Sequence, residues 1–87
     1  MAEHELSDGE VKDRIEAIFA PYRIEFEIFE ISDFDMALKY AVCDDIQKRR
    51  KPFTYSRAYV DFRMPSKLDH QLQTDRKALQ LLGYEFD

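Results

Sequence analysis

The sequence predicts a small α/β (or α+β) domain of order α-β-α-β-α, with helices packed on a two- to three-stranded sheet. Three observations carry this. The run Tyr22–Ile31, YRIEFEIFEI, is dense in β-branched and aromatic residues, as a strand requires. The segments before and after it place apolar residues at helical spacing next to helix-start signals. Two glycines and three prolines in 87 residues leave no linker, repeat or low-complexity tract, so the chain is one domain. At this length roughly 60–65% of the unfolded surface can be buried, enough for one modest core.

Residues 1–6 are polar and are expected to trail as a disordered tail. Ser7 and Glu10 fit a capping box, Ser at N-cap and Glu at N3. Val11, Ile15, Ile18 and Phe19 then recur on one face, which predicts a helix from Asp8 to Ala20, stopped by Pro21. In the strand that follows, Ile24, Phe26 and Ile28 share one side and Glu25 and Glu27 the other. The phase slips at Phe29 and Ile31. That implies either a bulge near Phe29 or, preferably, a strand end covered on both faces.

The segment Phe34–Arg50, opened by Ser32 or Asp33 and closed by Lys48, Arg49, Arg50 and Lys51, reads as a second helix. It is apolar around more than half its circumference. Phe53–Met64 reads as a second strand, with Ala58, Val60, Phe62 and Met64 toward the core. Its Arg57 and Arg63 are expected to meet Glu25 and Glu27 across neighbouring strands. Ser66 would cap a third helix bearing Leu68, Leu72, Leu79 and Leu82, ended by Gly83. Tyr84–Phe86 could add a short third strand. Strand–helix–strand order favours parallel pairing.

The net charge of −5 hides a split: residues 1–47 hold thirteen acids and four bases, and residues 48–87 nine bases and five acids. The ordinary consequence is that the halves partly neutralise each other; the alternative is an interaction surface. A single cysteine, Cys43, excludes an internal disulfide. The N-terminus shows no secretory signal and no apolar run spans a bilayer, so a cytoplasmic address is expected, or a host cytoplasm if the gene is phage- or plasmid-borne.

Catalytic, cofactor and metal motifs are missing, so no catalytic, cofactor-binding or metal residues are assigned. Cys43 lies beside Asp44 and Asp45, which disfavour a thiolate, and reads as a buried structural residue. His4 and His70 have no second histidine at ligand spacing. Asp33, Asp35 and Asp61 could gather around a metal, yet the first two also suit a helix start. Two surfaces remain. Glu25, Glu27, Glu30 and Asp33 form an acidic ridge, with Phe53, Tyr55 and Tyr59 as aromatic anchors for a protein partner. Lys48, Arg49, Arg50, Lys51, Tyr55 and Arg57 make a basic–aromatic segment able to track phosphates and stack bases.

The expected function is therefore a non-enzymatic protein-interaction module. It would be a small acidic accessory, regulatory or inhibitor protein, acting as a homodimer or docked on a larger protein. Binding of nucleic acid through residues 48–59 is the alternative. No membrane or small-molecule cofactor is implied. A sheet this narrow supports an interaction role because its edges need pairing or cover.

Overall fold

The computed structural model describes residues 3–87. Its elements are α1 (Asp8–Ile18), β1 (Arg23–Ser32), β2 (Asp35–Asp44), β3 (Arg49–Ser56) and α2 (Pro65–Leu81). The class is α+β: two helices and one antiparallel three-stranded sheet in the order β1-β2-β3. The expected order α-β-α-β-α is corrected to α-β-β-β-α, and the expected parallel crossover is replaced by two hairpins.

The difference lies in the segment expected to be the middle helix. Its apolar run satisfies two periods at once. Leu38, Tyr40 and Val42 fall on one side of β2 and are essentially inaccessible, while Ala37, Ala41 and Cys43 fall on the other and are also buried. A strand buried on both faces loses the polar alternation that marks strands, and a short apolar run cannot then be told from a helix by period. The cations taken for a helix terminus lie on the second hairpin. Lys48 there adopts a left-handed backbone with φ of 56°, and Asp44 accepts the Gln47 N–H at 3.1 Å.

The other elements are shifted or kept. The helix α1 carries the expected capping box: Glu10 N–H donates to Ser7 Oγ, and Ser7 N–H to Glu10 Oε1. The strand predicted from Tyr22 to Ile31 is β1. Its register slips between Glu30 and Ser32, two residues beyond Phe29, and no second layer covers its end. The predicted second strand is kept only in its first part, since β3 ends at Ser56. Pro65 holds the first position of α2, so Met64 rather than Ser66 is its N-cap. Tyr84–Phe86 forms no strand but an aromatic cluster with Phe19 and Tyr22, at centroid distances of 5.1–6.5 Å.

Both helices pack on one face of the sheet. Val11 and Ile15 of α1 and Leu68, Leu72 and Leu79 of α2 meet Leu38, Tyr40 and Val42, with Phe19 and Phe62 filling between them. Each such fully buried side chain contributes about 1.5–3 kcal/mol. Among the described residues no element covers the opposite face. There Glu25 of β1 and Arg50 of β3 reach across β2 and meet, with Arg50 Nε donating to Glu25 Oε1 at 3.1 Å. The small side chains of Ala41 and Cys43 let these long ones lie flat, which is how both are buried without a second layer.

The segment expected to be a loose tail lies, from Glu3 onward, against the start of α2 and the turn before it. Glu3 accepts from Ser66 N–H at 2.9 Å, Glu5 pairs with Arg57, and Leu6 N–H donates to the Arg63 carbonyl at 2.8 Å. The first two residues of that tail lie outside the described residues. No helix among the described residues is long and apolar enough to cross a membrane.

Candidate functional site

Three large apolar side chains stand in solvent at one end of the sheet. Phe34, at the tip of the β1–β2 hairpin, is 99% exposed, Tyr59 81% and Ile31 50%. The β1–β2 tip is held, not loose. Phe34 N–H donates to Ser32 Oγ at 3.3 Å, and Asp35 Oδ1 accepts from Met36 N–H at 2.9 Å and Ala58 N–H at 3.1 Å. Arg57 N–H adds a bond to the Met36 carbonyl at 2.7 Å. The last two bonds, from the Ala58 and Arg57 N–H groups, fasten the hairpin to the 57–60 turn that carries Tyr59. A hairpin backbone already held in place loses little conformational freedom on binding.

Tyr59 also walls a cleft of about 480 Å³, lined by Arg57, Asp61, Lys67, His70 and Gln71 between the turn and the first turns of α2. The rim around Phe34 is acidic through exposed Glu30 and Asp33. Apolar side chains of this size exposed together mark interaction surfaces more often than single scattered ones do.

The residues of the predicted acidic ridge do not form one ridge. Glu25 and Glu27 lie on the open face, Glu30 on the helix-bearing side opposite Met36, and Asp33 in the hairpin turn. Glu25 is in cationic company, 3.0 Å from Arg50 and 3.5 Å from Arg23. The Arg50 hydrogen bond, with that from the Cys43 thiol, holds the Glu25 carboxyl below its ordinary value.

Of the predicted aromatic anchors only Tyr59 is exposed. Phe53 stacks on Tyr40 at 5.1 Å, and the Tyr55 hydroxyl donates to Asp75 at 2.7 Å. Both sit on the helix-bearing side of the sheet because β3 ends at Ser56, so Val60 and Phe62, whose core positions set the expected faces, lie beyond the strand and say nothing about its alternation.

The basic segment is likewise distributed. Arg49 pairs with Asp44 at 3.0 Å and donates to the Leu82 and Gly83 carbonyls at 2.7 and 3.2 Å, closing the end of α2. Its guanidinium lies 4.1 Å from the Tyr84 ring centre. Arg50 is held by Glu25, and Arg57 by Asp61 and Glu5. Arg63 pairs with Asp8, so neither Arg57 nor Arg63 meets Glu25 or Glu27. Lys48 and Lys51 form no ion pair among the described residues, and Lys51 lies 5.8 Å from the Phe53 ring centre.

Cys43 lies on a strand instead of a helix. Its thiol donates to Glu25 at 3.4 Å, and burial, then this bond, push it above the ordinary thiol value. Among the described residues no three His, Cys, Asp or Glu side chains gather to hold a metal.

Sequence reasoning missed Asp75, a carboxylate buried between α2 and the sheet. It accepts from the hydroxyls of Tyr40 and Tyr55 and, at 3.0 Å, from Gln71 Nε2. Burial pushes both phenols far above their usual range, with Asp75 adding to the effect. The only hint in the sequence is the i, i+4 spacing of Gln71 and Asp75 beside the apolar face of α2. Comparison with protein-family models, with curated proteins and with solved structures finds no match.

Proposed function

We propose that this chain is a non-enzymatic interaction module that docks onto a larger protein through the end of the sheet bearing Phe34, Ile31 and Tyr59. The observation that carries this is the 99% exposure of Phe34 on a hairpin tip held by four hydrogen bonds. A large aromatic displayed on a fixed tip suits insertion into a pocket, and such anchors dominate interface energetics. The acidic rim from Glu30 and Asp33 favours a partner whose pocket is edged by cations. The basic segment is a weaker basis for function, since Arg49, Arg50 and Arg57 are already engaged within the chain.

The test is capture from cells that encode the chain, comparing wild type with the pair Phe34→Ser and Tyr59→Ser. Proteins retained by wild type and lost with the pair are expected. Identical captures by both would overturn the proposal.

A further inference from the structure

The two edges of the sheet are unlike. On β3, Pro52 removes a backbone donor and Arg50 and Lys51 precede it, devices that keep an edge from accepting another strand. Along its ten residues β1 has neither proline nor lysine. Among the described residues the backbone of 23–31 makes no hydrogen bond outside its ladder with β2. A strand-length row of donors and acceptors therefore faces outward.

Side chains on β1 say what would pair there. On the helix-bearing side Ile24, Phe26 and Ile28 are only half-buried. On the other side Glu25 and Glu27 are exposed. A strand laid alongside extends the apolar core on one side and on the other meets the carboxylate of Glu27, which forms no ion pair among the described residues, beside Glu25, which Arg50 and Arg23 already engage.

A second copy of the chain fits less well: the self-pairing register that opposes Arg23 to Glu25, centred on Ile24, joins only three residues of β1. Antiparallel pairing of β1 with itself, centred on Glu25, Phe26 or Glu27, sets glutamate opposite glutamate. Centred on Ile28, it sets Phe26 against Glu30 and Phe29 against Glu27. From these observations we infer that β1 receives an extended segment of a partner protein in which apolar residues alternate with lysine or arginine. This rests on the reading that the chain docks onto another protein and names the form of the docked segment.

The probe is a synthetic peptide of about eight residues, the length of a strand, alternating lysine with isoleucine or valine. Its control carries glutamate at each lysine. Amide hydrogen exchange is read residue by residue in the full chain. The lysine peptide should slow exchange of the outward-facing amides of β1 by about tenfold when present at about ten times its Kd, leaving the outward-facing amides of β3 unchanged, and the glutamate peptide should not.

Glu27→Lys, at an exposed position, should weaken the lysine peptide by about fivefold, the upper range for one exposed ion pair. Three results overturn the inference: no protection of the outward-facing β1 amides, equal protection by the glutamate peptide, or protection of the outward-facing β3 amides. Slowing of β1 exchange with protein concentration alone also overturns it, because the occupant is then a second copy. Loss of a captured partner with Phe34→Ser while β1 amides in the complex exchange as in the free chain sinks the edge inference alone. Protection of β1 by the peptide with captures indifferent to Phe34 sinks the docking-tip reading alone.

Discussion

Replacing Tyr40 by phenylalanine should cost more in the wild-type chain than in a chain that already lacks Asp75. Tyr40 is 1% exposed and Asp75 4%, so water cannot replace either partner when the other is removed. Tyr40→Phe deletes a hydrogen bond to a carboxylate and should cost about 1.5–3 kcal/mol. Asp75→Leu removes the acceptor shared by Tyr40, Tyr55 and Gln71. It leaves at least the Tyr40 hydroxyl buried and unpaired, for a cost of about 2–5 kcal/mol. Tyr55 and Gln71 retain each other at 3.0 Å, which keeps the loss from being larger.

In the Asp75→Leu background Tyr40→Phe then removes an orphaned donor and should be neutral or mildly stabilising. The cycle should give a coupling of about 2–3 kcal/mol. A chain of this length has about 4–13 kcal/mol of total stability, so each variant remains measurable if the parent lies above the lower end. With no tryptophan, urea unfolding is best followed by far-UV circular dichroism. At an m-value of about 1 kcal/mol/M, the Tyr40→Phe midpoint should fall by about 1.5–3 M in wild type. Equal losses in both backgrounds would refute the claim that this network joins α2 to the sheet.

Stability should also depend on pH in a direction fixed by the surface acids. Glu10 is held low by the Ser7 N–H, Glu25 by Arg50, Asp44 by the Gln47 N–H and Asp45 by Arg23. An acid whose folded pKa lies below its unfolded one stabilises fully above the unfolded value and loses that stabilisation as pH falls through the folded one. Tm should therefore hold down to about pH 5 and decline below it; a Tm that rises on acidification would contradict this. The raised phenols act at the other limb, with stability lost as pH climbs beyond about 10. Cys43 should react with a thiol reagent far more slowly in the native chain than in urea, and Glu25→Gln should narrow the gap; equal native and unfolded rates would contradict its burial. Arg49→Met removes its bonds to the Leu82 and Gly83 carbonyls and to Asp44, and should speed amide exchange at 79–84 by at least about tenfold while β1 is unaffected.

What the sequence disclosed and what it concealed both have physical causes. The helix α1 and the strand β1 were legible because each shows one period and one set of end signals: the Ser7–Glu10 box, and Ile24, Phe26 and Ile28 against Glu25 and Glu27. For β2 this failed. Ala41 and Cys43 are shielded by the long side chains of Glu25 and Arg50, a contact between residues 25 positions apart, and Ala37 lies between Phe29 and Ser56, so a strand with one open face reads as apolar all round. Reading Phe53–Met64 as one strand sets its faces by Val60 and Phe62, which lie beyond the end of β3 at Ser56, and so puts Phe53 and Tyr55 on the wrong side. The exposed Phe34 was hidden by the helical reading of β2, as a core residue of a helix that does not form. Glu25, Arg50 and Arg57 kept their chemistry but not their company, since partner choice depends on a register that composition does not carry.

Proton–nitrogen correlation spectra of the labelled chain, titrated with extract from cells that encode it, test the docking claim most directly. Perturbed amides should cluster at 29–36 and 57–60, leaving the 45–50 hairpin and α1 as in the free chain. Perturbation centred instead on Lys48–Lys51, or none at any concentration of extract, would contradict it.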